Sequence, residues 1–161
     1  MMNKFLVFLT LIVFVSCNTR ERNYEKHLEK GLKTFPYTRN VNQNLITGVS
    51  IRSLAFIKKS DDQRMLVIKL NDEVTPETIN KFSLAIHTYL NKDKYGDLLK
   101  DKDYISTPLK PVLKDIKGHK YIITEYDIDV ERIKELQFFL FDRDKFRKVL
   151  SKRVIVRNIG I

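Results

Sequence analysis

From residue 45 onward the apolar positions recur every second residue, the period of a pleated strand and not of a helix. Val49, Ile51, Ser53, Ala55 and Ile57 share one side of a strand, while Leu54 and Phe56 make the other side apolar too, the pattern of a strand covered on both faces. Ser60-Asp61-Asp62 supplies a polar turn. Beyond it Met65, Val67 and Lys69 alternate with Leu66, Ile68 and Leu70, so the two runs predict a hairpin. Residues 71–80 predict a loop, after which two patterns compete. Thr75-Pro76-Glu77 has the form of an N-cap followed by proline at the first helical position, with Ile79, Phe82, Ile86 and Tyr89 as a helical stripe. Phe82, Leu84, Ile86, Thr88 and Leu90 also make one face of a strand, favoured because the aromatic and branched residues suit a pleated surface.

Residues 91–102 are highly charged and contain Gly96, which predicts an exposed connection. Tyr104 to Val112 holds Pro108 and Pro111; prolines cannot donate to a ladder, so this is an irregular edge strand. Lys117-Gly118 marks a turn into a strand over 121–126. Residues 133–141 present Leu136, Phe138 and Leu140 on one face and Gln137, Phe139 and Phe141 on the other, and Val154 to Ile159 forms the last strand. About seven strands separated by turn signals predict an all-β fold, an antiparallel β-sandwich of immunoglobulin-like or jelly-roll-like type over residues 45–161.

The start of the chain departs from this pattern. Lys4 precedes an unbroken apolar run from Phe5 to Val15 that ends at Ser16-Cys17, the single cysteine. Eleven residues of helix reach about 16 Å, half of the roughly 30 Å of a hydrocarbon core, so the run fits a secretory signal and not a membrane span. Phe14-Val15-Ser16-Cys17 resembles the lipobox of bacterial lipoproteins, in a form like that of Bacteroidota, with Phe14 in place of the more usual Leu. The resemblance covers only the leader, residues 1–16. It implies that Cys17 becomes the mature N-terminus, carries a thioether-linked diacylglycerol and an amide-linked acyl chain such as palmitate, and fixes the protein to the outer membrane, facing the periplasm or the cell exterior. At about 0.8 kcal/mol per buried methylene, two or three chains anchor stably where one is marginal. Residues 17–44 would form the lipidated cysteine and a polar tether, with a possible short helix around Leu28; if flexible, its 27 residues after Cys17 would span roughly 30 Å.

Charge and cysteine content refine the picture. Losing Lys4 with the leader takes the formal net charge of +10 to +9, which favours anionic surfaces, acidic glycans or acidic protein partners, while export argues against nucleic acid. With one cysteine there can be no internal disulfide, so the domain must stand on its core alone. Removing 16 residues from 161 leaves 145, enough for one such core.

Catalytic signatures are missing from the sequence. His27, His87 and His119 do not have zinc-ligand spacing, and there is no Gly-x-Ser-x-Gly or phosphate-cradling glycine loop. Asp142-Arg143-Asp144 and Asp127-Ile128-Asp129 read as turn chemistry and ion pairing, not as metal sites, and no cofactor is expected. Sugar-binding sandwiches stack rings on exposed Tyr or Trp; with no Trp and seven Tyr, Tyr95 and Tyr104, in polar surroundings, are the candidate ligand-binding residues. The sequence thus points to a non-catalytic binding or scaffolding module on a membrane, with a glycan-binding accessory module as the alternative and a hydrolase with loop-borne carboxylates as the weaker one.

Overall fold

A computed structural model describes residues 26, 28, 30, 38–58, 64–91, 104–142 and 148–159. The chain divides into a unit of residues 1–34, in which Lys26, Leu28 and Lys30 are helical, and a unit of residues 35–161. Cys17 and Tyr95 lie outside the described residues. The second unit is an antiparallel β-sandwich built from β1 (Arg39–Ile46), β2 (Val49–Lys58), β3 (Arg64–Leu70), β4 (Phe82–Leu90), β5 (Ile105–Leu109), β6 (Leu113–Ile116), β7 (His119–Glu125), β8 (Ile133–Asp142) and β9 (Val154–Arg157).

The strands form a five-stranded sheet in the order β1-β2-β3-β7-β6 and a four-stranded sheet in the order β5-β4-β8-β9. Setting β1 aside, β2-β3-β7-β6 opposite β5-β4-β8-β9 is the A-B-E-D and C′-C-F-G connectivity of an immunoglobulin-like sandwich. The topology therefore chooses between the two sandwich types left open by the sequence. β1 is an added strand on the outer side of β2.

Period-two parity assigns each side chain to a layer. Leu84 and Ile86 from β4, Leu136, Phe138 and Leu140 from β8, and Val154 and Val156 from β9 point inward against Leu66, Ile68 and Leu70 of β3. On β2 the inward positions are Val49 and Ile51, then Leu54 and Phe56, because a register shift between Ile51 and Ser53 switches the parity. The single face expected from Val49 to Ile57 is broken by that bulge. Ala55, Ile57, Met65 and Val67 are also buried, outside this central core, as a strand pair covered on both faces requires.

Local chemistry sets the turns. Lys117 and Gly118 both have positive φ, 53° and 81°, the two-residue geometry that matches strand twist in a hairpin, and the Asp115 side chain accepts the Gly118 N–H at 3.0 Å. Gly48, at φ 82°, closes the β1–β2 turn. Between β3 and β4, the Asn71 side chain accepts from the Ser50 backbone N–H at 2.7 Å and donates to the Gly48 carbonyl at 3.1 Å, tying the crossover to β2. Thr75 caps the one-turn helix Pro76–Ile79 by accepting the Thr78 N–H, and the strand begins at Phe82. Both competing patterns over 75–90 are thus used in succession, the cap for a single turn and the alternation for β4.

Two elements differ from expectation. β1 starts at Arg39, so the boundary expected after Asn44 falls inside a strand. Its polar residues hide it, since an edge strand with bulges at Asn40/Gln43 and Asn44/Ile46 needs little apolar surface. β6, only four residues long, carries too short an alternation to stand out.

In antibody domains of this connectivity a disulfide joins the two sheets. Here Tyr126, just after β7, crosses the core: its ring packs 5.6 Å from Phe56 and its hydroxyl is hydrogen-bonded to the Thr88 hydroxyl of β4, both residues buried. Burial pushes the Tyr126 phenol up to about 12, outweighing the bond from Thr88. Tyr126→Phe should leave the Thr88 hydroxyl unpaired and lower stability by about 1–3 kcal/mol in urea unfolding. Adding Thr88→Val should recover part of that loss, because both polar groups are then gone; strictly additive losses would show that the pair does not couple.

Candidate functional site

The outward positions of the four-stranded sheet form ordered rows. Register pairs His87 with Ser106 on β5 and Gln137 on β8, Ala85 with Pro108 and Phe139, Ser83 with Phe141, and Tyr89 with Glu135; Gln137 pairs with Ile155 and Glu135 with Arg157 on β9. A sandwich face turned to water should alternate to polar residues here. Instead Ala85, Phe139 and Phe141 make a second apolar cluster outside the core.

Aromatic rings gather on this face. Tyr104, half-buried at the start of β5, stacks on His87 with centroids 4.0 Å apart and planes 19° apart, and it lies 5.4 Å from the Tyr89 ring. Phe139 meets His87 edge-on at 4.7 Å, and the Arg153 guanidinium sits 5.4 Å above the Phe139 ring. A cleft of about 230 Å³ opens between Ala85, His87, Ser106, Pro108, Phe139 and Val149. That is room for one ring or branched side chain.

A polar ladder borders the rings. The Arg157 Nε donates to Glu135 at 2.6 Å, the Gln137 side-chain amide donates to Glu135 at 2.6 Å, and Arg153 donates to the Gln137 carbonyl oxygen at 3.2 Å. Burial works to raise the Glu135 carboxyl, but the bonds from Gln137 and Arg157, with the charges of Arg157 and Lys134, hold it below its ordinary value. His87 is 9% exposed, and among the described residues its Nδ1 has no hydrogen-bond partner. Burial first, and the Arg153 charge second, push the imidazole below its ordinary value, so it is neutral at pH 7. The side chains paired across from it are Ser106 and Gln137, not a carboxylate that would orient a general base. The arrangement suits holding an apolar group with a polar tip.

Of the two tyrosines singled out from sequence, Tyr104 belongs to this cluster. Phe139, Phe141 and Arg153 were missed as site residues, although the Gln137-Phe139-Phe141 alternation was visible and marked an apolar outer face. Tyr121 is buried on β7, in the other sheet, and Tyr126 is in the core. Asp129 pairs with Arg64, and His119 with Asp72 at 3.1 Å. Among the described residues no group of three or more His, Cys, Asp or Glu is placed to hold a metal, and no helix is long and apolar enough to cross a membrane.

Comparisons with protein-family models, with curated proteins and with solved structures found no match.

A buried imidazole held below its unfolded value binds its proton more weakly in the native state, so its contribution to stability is complete above about pH 6.5 and is lost as pH falls through that range toward the native value. Urea midpoints should therefore decline from pH 7 to pH 5, and His87→Phe should flatten that decline. In NMR titrations the His87 ring should protonate below pH 6.5, and Arg153→Gln should move it upward. An unchanged titration in Arg153→Gln would refute the electrostatic link.

Proposed function

We propose that this protein is an exported lipoprotein, acylated at Cys17 and anchored in the outer membrane, whose immunoglobulin-like sandwich is a non-catalytic binding module. Its ligand face is the outer side of the β5-β4-β8-β9 sheet. One observation carries the binding reading: His87, Tyr104, Phe139 and Phe141 build an aromatic, cleft-bearing surface on a side of the sandwich that the core does not need. These apolar residues lie outside the core that holds the sheets together, and the cleft beside them is a concave, apolar-lined site of the kind that takes a ligand. The leader supports the anchor, since a short apolar run ending in the sole cysteine suits acylation and leaves no idle thiol on an exported protein.

A second reading, a glycan-binding accessory module, is favoured by the half-buried Tyr89 and Tyr104 rings at the β4–β5 edge, 5.4 Å apart. A pyranose ring stacks on such a pair through its apolar face while its hydroxyls reach Ser106 and the solvent.

Labelling with an alkynyl fatty acid should mark the wild-type chain, stop with globomycin, and be lost in Cys17→Ala, which should release the protein from membranes. Mass spectrometry finding an unmodified Cys17 thiol or a retained leader would contradict the anchor. On a glycan array, saturable binding that falls at least tenfold in Tyr104→Ala, a change of about 1.4 kcal/mol, would select the sugar module. Pull-down partners retained without glycan binding select the scaffold. Equal urea midpoints for the variant and wild type would confirm that Tyr104→Ala leaves the fold intact.

A further inference from the structure

We propose that the sandwich edge formed by β1 and β9 is a docking surface for an anionic lipid bilayer. Residues 148–157 read Lys-Val-Leu-Ser-Lys-Arg-Val-Ile-Val-Arg, with four cations and no acid. Among the described residues four large apolar side chains are exposed, and three of them fall in this stretch: Val149 at 48%, Leu150 at 37% and Ile155 at 37%. Lys148, Lys152, Arg153 and Arg157 are exposed between them.

On the side of β1 the facing element adds no negative charge. Lys152 donates its backbone N–H to the Leu45 carbonyl at 3.2 Å, which joins this stretch to β1. β1 itself carries Arg39 and no acid, and a cleft of about 600 Å³ between Asn44–Gly48, Leu150 and Lys152 opens at the junction. Two acids of β8 meet the stretch: Glu135, which Arg157 and Gln137 already occupy, and Asp142, whose backbone N–H donates to the Lys148 carbonyl at 3.1 Å. Among the described residues Lys148, Lys152 and Arg153 pair with no carboxylate, so their charge stays open to an external anion, although Arg153 also rests on the Phe139 ring and donates to Gln137.

Exposed apolar side chains set among unneutralised cations are what an interface with anionic lipid requires: the cations meet headgroup phosphates while the apolar tips enter the acyl boundary. A protein partner of acidic character would satisfy the cations but would ask for a deeper apolar pocket than these isolated tips provide. The chain also enters the sandwich through β1, on this same edge. Tyr89 on β4 and Tyr104 just before β5 lie at the other side of the sheet order, while Val149 and Arg153 also border the His87–Phe139 cleft. Acylation of Cys17 supplies the setting; the charge and exposure of this edge supply the surface.

The test uses the mature acylated protein in vesicles, with an environment-sensitive dye on Ile155→Cys and, as a reference, on Val112→Cys, a 62% exposed residue in the β5–β6 connection at the opposite edge. In phosphatidylglycerol-containing vesicles the Ile155 dye should shift to the blue. In phosphatidylcholine vesicles, in high salt, or with Lys148, Lys152 and Arg153 all changed to Gln, it should not, and the Val112 dye should stay unshifted throughout. Flotation of Cys17→Ala protein with anionic vesicles should fall about a hundredfold in the triple variant. Identical Ile155 emission in both lipids, or equal shifts at both dyes, would overturn the proposal. So would a shift produced by a soluble acidic polysaccharide but not by vesicles, which would assign the edge to a glycan. Loss of the anchor is read separately, as failure of wild-type protein to float with phosphatidylcholine vesicles.

Discussion

Two antiparallel sheets must stay packed here with no disulfide between them, and that constraint organises the rest of the domain. The chain has a single cysteine, Cys17, so cohesion comes from inward parity on β3, β4 and β8, with Leu66, Ile68, Leu84, Ile86 and Phe138 fully buried. Tyr126 adds a buried polar crossing, its hydroxyl meeting Thr88 in the opposite sheet. A hydroxyl pair in that place is directional where apolar contacts are not, and it fixes how the sheets slide past each other.

Parity that commits one face of each strand to the core leaves the other face to vary. On β4 and β8 the committed positions are even-numbered, so Ala85, His87, Tyr89, Glu135, Gln137, Phe139 and Phe141 are released to the outside. With Ser83, which shares their side, five of these eight are apolar or aromatic, and that is the physical reason for placing ligand recognition there. The rings are held by one another and by Arg153, and the Glu135-Gln137-Arg157 ladder keeps the β8–β9 side of the face rigid.

Much of the fold was legible because alternation survives wherever a strand is long and one side is buried. The β2–β3 hairpin, the two-faced β8, the proline-bearing β5 and the Lys117-Gly118 turn all announce themselves through side-chain type. β1 did not, since an edge strand made of asparagines and a glutamine looks like a linker. The parity switch at Ile51/Ser53 was also invisible, because a bulge is a backbone event and Leu54 and Phe56 are apolar under either register. Within the candidate site Tyr104 could be found from its type and neighbours. Arg153 could not, as its role depends on β9 lying beside β8, a pairing across 16 residues that no local pattern encodes.

The basic edge and the aromatic face adjoin: cations and exposed aliphatic tips lie along β9 and the stretch before it, the rings lie on β4 and β8 and beside β5, and Val149 and Arg153 border both. The proposed binding role places ligand at the ring end of this face, around His87 and Tyr104. The most direct test of that central claim is photo-crosslinking in cells, with p-benzoylphenylalanine at exposed Ser106 on the aromatic face or at exposed Lys114 on β6 of the other sheet. The account predicts a mass-shifted adduct from position 106 and none from position 114. Adducts of equal yield from both positions, or from position 114 alone, would contradict it.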